Sequence, residues 1–307
     1  MGVVVPAYDE EALIAATLGG IPALVDRIFV VDDGSTDRTG ERALELGDPR
    51  VEVLSHERRS GVGAATITGY RRALADRLDV VVVMNGDNQM APEDLPTLVA
   101  PVALGELDYS KANRLSTGQA WQLIPKTRFF GNAILSMLTK IASGYWHVAD
   151  SQSGYTAISR EMLVRLELDH VYTNYGFPND MLVHLNVWNA RVRDFPSRPI
   201  YGVGERSGIR LRKVVPRISW LLFKRFWWRM WQKYVIRDFH PLVFFYFLGL
   251  LMMLVGFVLG VYETVLRFMG HGITPATIVL VALLLISGSQ FTLFAMWFDM
   301  ESNKDLR

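Results

Sequence analysis

The stretch that decides the fold runs from Val80 to Gln89 and reads VVVVMNGDNQ. Four consecutive valines followed by a methionine predict a strand that is buried on both faces, as in a parallel sheet. The apolar run stops at Asn85, and Asp87 and Gln89 follow at alternate positions. If this segment is extended, the three polar side chains point the same way. Polar side chains at the C-terminal end of a parallel strand mark the edge where open α/β sheets bind ligands.

The side chains of this polar segment have the chemistry of a metal site. Carboxylate and amide oxygens on one side suit a hard cation such as Mg²⁺ or Mn²⁺, with phosphate oxygens completing the coordination shell. We therefore predict a metal site formed by Asp87, Gln89 and Asn85. The alternative is a polar turn that follows a core strand and binds nothing.

The N-terminal half alternates strand patterns with helix patterns. This alternation predicts an α/β fold with a mostly parallel, doubly wound sheet. Three strand ends carry clustered acids or amides, and the carboxyl ends of parallel strands meet along one edge of the sheet. Those three ends are Tyr8–Glu10, Asp32–Asp37 and Asn85–Gln89.

Composition limits the classes of chemistry. The chain has 307 residues, a formal net charge of +1 and no cysteine. This length accommodates a full α/β domain with additional segments, and the lack of cysteine excludes disulfides and cysteine-based metal or nucleophile sites. The strand-like start at Gly2 has no signal-peptide features, so we expect the N-terminal domain to stay in the cytoplasm.

Two long uncharged stretches occupy the C-terminal third. Leu242 to Tyr262 has 21 residues without charge, and Gly272 to Phe298 has 27. A helix of roughly 20 residues crosses a hydrocarbon core about 30 Å thick. We predict two spans in the cell membrane or an endomembrane, although two buried helices of a soluble fold would give the same pattern. The basic flanks predict a cytoplasmic catalytic domain with both termini on that side.

The segment before the first span is rich in tryptophan and basic residues. Residues 206–237 hold ten lysines and arginines, and 214–236 is amphipathic. Tryptophan with lysine and arginine on a helix that leads into a span predicts an interfacial helix. Such a stripe could also bind single-stranded nucleic acid, but its position argues against this and we predict no nucleic-acid partner. The predicted domains are 1–210 catalytic, 211–240 interfacial and 241–307 transmembrane.

Four blocks of residues 2–210 resemble the family 2 glycosyltransferases of GT-A fold. The blocks are Pro6–Glu10 (PAYDE), Val30–Asp37 (VVDDGSTD), Gly61–Ala64 (GVGA) and Asn85–Asp87 (NGD). The second block is the most specific. Further features narrow the resemblance to the polyprenyl-phosphate glycosyltransferases, the group around dolichyl-phosphate mannose synthase and undecaprenyl-phosphate glucosyl transferases. They are Ser153–Tyr155, the segment Gly204–Gly208 and the two predicted spans.

The resemblance implies a reaction and its partners. One sugar would move from a nucleotide-diphosphate sugar, UDP- or GDP-hexose, to a dolichyl or undecaprenyl phosphate, with inversion at the anomeric carbon and Mg²⁺ or Mn²⁺ as cofactor. Two alternatives remain: a glycosyltransferase with another lipid or glycan acceptor, and a catalytically inactive membrane scaffold. Processive synthases of this fold carry a Gln-x-x-Arg-Trp motif, which this chain lacks. A homo-oligomer is possible through Gly256 and Gly260, whose GxxxG spacing is a weak signal.

The resemblance also implies site residues. Nucleotide-sugar binding falls to Pro6, Tyr8, Glu10, Asp33, Gly63, Asn85 and Arg114. Binding of the lipid phosphate falls to Arg206, Ser207, Arg210 and Lys213. The catalytic candidates are Asp87, Arg206 and, if a general base exists, Asp150 or Asp180.

Two positions depart from the family's pattern. Asn85 replaces the first acid of the metal motif, which removes one negative charge from the expected shell. Asp9 stands where the family usually has asparagine.

Overall fold

The computed structural model describes residues 1–116, 126–198, 200, 202–204, 211–272 and 274–307. Within these residues the chain forms two compact units, 1–229 with 305–307 and 230–304. The first is an α/β unit and the second is a helical hairpin. The helix rich in tryptophan belongs almost entirely to the first unit.

One seven-stranded sheet forms the centre of the α/β unit. Its strands are β1 (Gly2–Ala7), β2 (Arg27–Asp32), β3 (Val51–Ser55), β4 (Val80–Val83), β5 (Tyr109–Asn113), β6 (Thr156–Ser159) and β7 (Val192–Pro196). Their order is β3-β2-β1-β4-β6-β5-β7. Only β6 runs antiparallel to its neighbours, β4 and β5, whereas the other pairs are parallel. This mostly parallel sheet confirms the predicted fold class.

Helices cover both faces of the sheet. In the α/β unit they are α1 (Ile14–Gly19), α2 (Thr39–Glu45), α3 (Val62–Ala75), α4 (Leu95–Ala103), α5 (Lys126–Ser143), α6 (Arg160–Arg165), α7 (Phe177–Val187) and α8 (Leu211–Trp231). The valines of β4 alternate between two cores, with Val81 and Val83 in one and Val80 and Val82 in the other. Burial on both faces explains why the run of valines is uninterrupted.

Hydrogen bonds hold the polar strand ends side by side. The amide of Asp33 donates to Ala7 O at 2.9 Å, and the amide of Gly86 donates to Pro6 O at 3.1 Å. The loops that follow β1, β2 and β4 therefore lie at one edge of the sheet, as the strand pattern predicted.

The predicted extension of the segment after β4 is wrong. The strand ends at Val83, and Asn88 has a left-handed φ of 54°. The amide of Gln89 donates to Asp87 Oδ1 at 3.2 Å, the local turn that an aspartate side chain favours. The side chains of this segment are therefore arranged by a turn and not by strand alternation.

The second unit is a hairpin of α9 (Leu242–Phe268) and α10 (Pro275–Ser302). Both helices are long and apolar enough to cross a membrane. A Cβ added at Gly249 would lie 2.8 Å from the amide nitrogen of Thr292, and one at Gly256 would lie 3.0 Å from Leu284 Cβ. The small residues of α9, including the GxxxG pair, therefore face α10 within the same chain.

Candidate active site

A cleft of about 1080 Å³ opens at the carboxyl ends of β1, β2 and β4. The residues that line it come from all three strand ends and include Tyr8, Asp33 and Asp87. Arg114, at the end of β5, lines the same cleft. Candidates that are more than 100 positions apart in sequence thus share one cavity of the α/β unit.

Asp33 fixes the glycine turn that forms one side of the cleft. Its Oδ1 accepts a hydrogen bond of 2.8 Å from the amide of Ser60, and its Oδ2 accepts one of 2.8 Å from the amide of Gly61. The imidazole Nδ1 of His56 also lies 2.8 Å from Oδ1. Gly61 has φ +104°, and a Cβ there would lie 2.5 Å from Thr173 O, so this turn requires glycine.

The end of β1 contributes an aromatic ring with a cation stacked on it. The guanidinium carbon of Arg59 lies 3.8 Å from the centre of the Tyr8 ring, a close cation–π contact. Pro6 and Glu10 line the cleft beside this stack. Arg59 was not predicted as a site residue, although an arginine directly before the Ser60-Gly61 turn was a usable signal in the sequence.

The three predicted metal ligands line the same cleft. Asn85, Asp87 and Gln89 all contribute to its surface. Burial, together with the negative charge of Asp87, raises the pKa of Glu10 to about 7. The contribution of Asp87 indicates a negative electrostatic potential in this part of the cleft.

The donor set fits a cation that is shared with a substrate. Within the described ranges, no group of three His, Asp or Glu side chains lies close enough to hold a metal by itself. One carboxylate, Asp87, with the amide oxygens of Asn85 and Gln89 offers hard oxygen donors, which suit Mg²⁺ or Mn²⁺ when phosphate oxygens supply the remaining ligands.

Asp150 is buried and forms an ion pair with Arg114. Arg114 Nε donates to Asp150 Oδ2 at 2.8 Å, and only 1% of Asp150 is exposed. Burial acts to raise the pKa of Asp150, but the charges of Arg114 and Lys111 outweigh it and the pKa lies below its ordinary value. Asp150 is not among the residues that line the cleft, whereas Arg114 is.

The buried side chain of Lys111 supports the same loop. Lys111 Nζ donates to Asp150 O at 2.5 Å and to Ser153 O at 3.0 Å, and burial lowers the pKa of this amine. Ser153 and Gly154 line the cleft, so Lys111 positions part of its wall. Lys111 was not predicted as a site residue, although a charged residue within the strand pattern of β5 was a usable signal in the sequence.

Asp180 is fully buried and contacts α8. Its Oδ1 lies 2.6 Å from Arg225 Nε, and its Oδ2 accepts a hydrogen bond of 2.8 Å from the amide of Tyr172. Burial raises the pKa of Asp180, and Arg225 offsets part of this effect. Asp180 and Gly63 are not among the lining residues; a Cβ at Gly63 would lie 2.7 Å from Tyr172 O.

Apolar side chains form another part of the cleft lining. Helices α5, α7 and α8 contribute Leu135, Phe177, Pro178, Val214 and Ile218 to its lining. A ligand with a charged head and an apolar tail would find both charged and apolar surfaces in this cleft. Of the predicted lipid-phosphate ligands, Arg206, Ser207 and Arg210 lie outside the described residues, and so does the side chain of Lys213.

Comparison with known proteins places this cleft in a family. The family described as glycosyl transferase family 2 matches residues 2–166. The chain is 30% identical to a UDP-N-acetylglucosamine–dolichyl-phosphate N-acetylglucosaminyltransferase of Methanococcus voltae over 64% of this chain and 84% of that protein. It is 32% identical to an undecaprenyl-phosphate mannosyltransferase of Micrococcus luteus over 63% of this chain and 80% of that protein.

A solved structure has the same fold. Glucosyl-3-phosphoglycerate synthase from Mycobacterium tuberculosis, in complex with Mn²⁺, UDP-glucose and phosphoglyceric acid, superposes with a TM-score of 0.53 and 25% identity. The match covers 74% of this chain and 78% of that one. The family match extends over more than half of the chain and includes β1, β2 and β4 with their polar ends, so this protein belongs to glycosyl transferase family 2.

Proposed function

We propose that this glycosyltransferase moves one sugar from a nucleotide-diphosphate sugar to the phosphate of a polyprenyl lipid. The observation that carries the proposal is the cleft itself, whose lining combines Asp33, Asp87 and Arg114 with apolar side chains of α5, α7 and α8. The named relatives from Methanococcus voltae and Micrococcus luteus act on lipid phosphates of this class, which supports the choice of acceptor.

The nucleotide occupies the side of the cleft formed by the ends of β1 and β2. Tyr8 offers a ring face on which the base can stack. The Arg59 guanidinium now covers this face and can move from it to a phosphate of the donor. Asp33 accepts the amide hydrogen bonds of the glycine turn and presents its carboxylate to the ribose. UDP and GDP donors both fit this arrangement.

The diphosphate of the donor lies between Asp87 and Arg114. As the bond to the anomeric carbon breaks, negative charge grows on the departing diphosphate, and cationic groups fixed nearby stabilise that charge. A divalent cation held by Asp87, Asn85 and Gln89 would supply Lewis-acid stabilisation of the same oxygens. Arg114 is fixed in place for this task by the buried carboxylate of Asp150.

The acceptor needs little activation. A lipid monophosphate is already an anion at neutral pH, so its oxygen attacks without a strong general base. A single displacement of the diphosphate from the opposite side of the sugar inverts the anomeric carbon. Asp150 and Asp180 are both buried in ion pairs, which favours structural roles for them over proton abstraction.

The lipid tail accounts for the C-terminal third of the chain. Exposing a polyprenyl chain to water costs about 0.8 kcal/mol per CH₂, so the reaction takes place at the headgroup plane. The exposed face of α8 carries Trp220 and Phe223, whose rings stack at 5.4 Å, next to the exposed Arg217 and Lys224. An aromatic and basic helix surface of this kind binds membrane interfaces.

The proposed topology follows from the two helices of the hairpin. Both spans would anchor the enzyme in a cell membrane or endomembrane, with the catalytic unit and both termini in the cytoplasm. Homo-oligomerisation remains a prediction. Because Gly256 and Gly260 pack against α10, an oligomer would use another surface.

A donor screen tests the function. The full chain in detergent is incubated with radiolabelled UDP- and GDP-sugars, Mn²⁺ or Mg²⁺, and a short polyprenyl phosphate, and label is counted in the lipid phase. A parallel arm replaces the lipid with 3-phosphoglycerate. We expect label only with the lipid acceptor and one donor class; transfer only to the soluble acceptor would contradict the proposed acceptor. Absence of nucleotide binding with either metal would favour an inactive scaffold.

A further inference from the structure

Helix α8 has two faces with different partners. Trp220 is 61% exposed and Phe223 is 53% exposed, whereas Ile218 and Leu222 are buried in a small core with Leu135 of α5. Arg225 extends from the same helix into the α/β unit. This arginine connects α8 with residues on the donor side of the cleft.

Arg225 makes three polar contacts, all with residues 170–180, and its guanidinium carbon also lies 5.4 Å from the centre of the Trp228 ring. Its Nε lies 2.6 Å from Asp180 Oδ1, and one terminal nitrogen donates to Asp180 Oδ2 at 3.0 Å. The same nitrogen donates to the carbonyl oxygen of His170 at 2.5 Å. Asp180 is fully buried and in turn accepts the amide of Tyr172 at 2.8 Å. The Asp180–Arg225 pair therefore holds the segment 170–176 at two points, the carbonyl group of His170 and the amide group of Tyr172.

The segment 170–176 packs directly on the glycine turn. Thr173 O accepts a hydrogen bond of 3.1 Å from the amide of Ala64. The close approach of the two segments requires glycine at two positions, because a Cβ at Gly61 or Gly63 would lie 2.5 or 2.7 Å from a carbonyl oxygen of Thr173 or Tyr172. Residues 170–176 thus form the outer support of the turn whose inner support is Asp33.

The same segment also contributes to the cleft. Asn174 and Tyr175 are among the residues that line the cleft. A shift of residues 170–176 would therefore move both the glycine turn and the cleft wall, with no change in Asp33 or Asp87.

We propose that Asp180 and Arg225 are positioning residues that hold the segment 170–176 against the glycine turn and thereby set the affinity for the donor nucleotide. The inference rests on the proposed function in its assignment of this side of the cleft to the donor. It gives Asp180 a role different from that of a general base, since its carboxylate is directed at Arg225 and at a backbone amide rather than at a reacting atom.

The first measurement needs no substrate. Hydrogen exchange is followed by mass spectrometry in the full chain in detergent for Arg225→Gln, Arg225→Lys and Asp180→Asn. We expect amides of 61–66 and 171–176 to exchange at least about tenfold faster in Arg225→Gln and Asp180→Asn, because exchange reports local opening. Arg225→Lys keeps the charge but loses the two-atom contact with Asp180, so it should fall between these variants and the wild type.

Arg229→Gln is the matched control. Arg229 is a buried arginine of the same helix, but it donates to Ala142 O at 2.8 Å and Ile141 O at 3.2 Å at the end of α5. Its substitution should speed exchange near residues 140–143 and leave 61–66 unchanged. Equal exchange of 61–66 in Arg225→Gln and wild type, or an equal increase in Arg229→Gln, would overturn the proposal.

Steady-state kinetics provide the second measurement. We expect Arg225→Gln to raise the KM for the donor about tenfold while kcat changes much less, since the pair acts on ground-state binding of the nucleotide. If Asp180→Asn instead lowers kcat with donor KM and exchange unchanged, Asp180 is the base and the positioning role is wrong. Should the wild type transfer no sugar at all, the proposed function fails, while the exchange result still decides whether the pair holds the turn.

Discussion

Arg114 Nε donates to the buried Oδ2 of Asp150 at 2.8 Å, which joins the end of β5 to the loop before β6. Arg114 is the half of the pair that reaches the cleft. Its guanidinium is thus oriented by a charge that solvent does not reach.

Asp150→Asn should destabilise the α/β unit by about 3 kcal/mol, because it leaves the fully buried ammonium of Lys111 without the carboxylate charge that offsets its lost hydration. Urea unfolding in detergent measures the change. Asp169→Asn is the control, since Asp169 is 83% exposed and pairs with Arg71 at the surface; its effect should stay below about 0.5 kcal/mol. Unchanged stability in Asp150→Asn with lost turnover would instead indicate a catalytic acid or base.

Asp87→Ala should reduce transfer by at least about 100-fold, the usual cost of losing one electrostatic contact to the developing charge. The fold should persist, because Asp87 lies in a turn after β4 and not in a core. Circular dichroism and initial rates test both statements, with the exposed Glu57→Ala as control. Near-normal turnover of Asp87→Ala would refute the metal assignment.

Asn85→Asp should tighten binding of Mn²⁺ in the presence of UDP or GDP, because a second carboxylate adds negative charge beside Asp87. Isothermal titration with and without nucleotide measures the affinity, and removal of the metal with EDTA should stop transfer in both proteins. If Asn85→Asp binds no more tightly, the side chain at position 85 does not reach the cation.

The contribution of His184 to the stability of the α/β unit should fall as the pH drops below 6.5. Burial lowers the pKa of His184 from 6.5 to about 3, so between these values the unfolded chain binds one more proton than the folded chain. This contribution is fully present above pH 6.5 and is lost towards pH 3, by at most about 1.4 kcal/mol per pH unit.

His184→Gln should flatten this part of the pH profile of unfolding. The change should be confined to the range between pH 3 and 6.5, because His184 has the same charge in the folded and the unfolded chain outside it. An identical slope in the wild type and His184→Gln would contradict a buried neutral imidazole.

Gly288→Ala should destabilise the hairpin, because a Cβ there would lie 2.8 Å from the backbone nitrogen of Met253 in α9. Overpacking of this kind costs about 1–3 kcal/mol. Gly272→Ala is the control from the same unit, since nothing lies within 4 Å of its added Cβ. Thermal unfolding in detergent compares the two, and equal midpoints would show that α9 and α10 do not pack closely at Gly288.

Much of the α/β architecture was predictable because it depends on local patterns. The run Val80–Val83 favours a strand buried on both faces, and the repeated change between strand and helix periodicity implies parallel pairing. The polar ends of β1, β2 and β4 then had to meet at one edge. The sequence left both an extended segment and a polar turn open after β4, because the competition between strand extension and a side-chain hydrogen bond to the backbone is decided by a few local contacts.

The candidate site was predictable only in part. Tyr8 and Asp33 follow their strands directly and Asp87 lies in the turn after β4, so the positions of the strand ends bring them to the cleft. Asp150 lies in the loop before β6 and Asp180 in the first turn of α7, yet their carboxylates are directed at Arg114 and at Arg225, 36 and 45 positions away. Periodicity does not report the direction of a loop side chain.

The sequence by itself determined the strands, their order of appearance and the acids at their ends, since these follow from burial and from the geometry of the peptide backbone. Only the tertiary structure decided which acids face the cleft and which are paired inside the protein. A buried carboxylate needs a cation to offset its lost hydration, and that cation can come from any part of the chain that folding brings near.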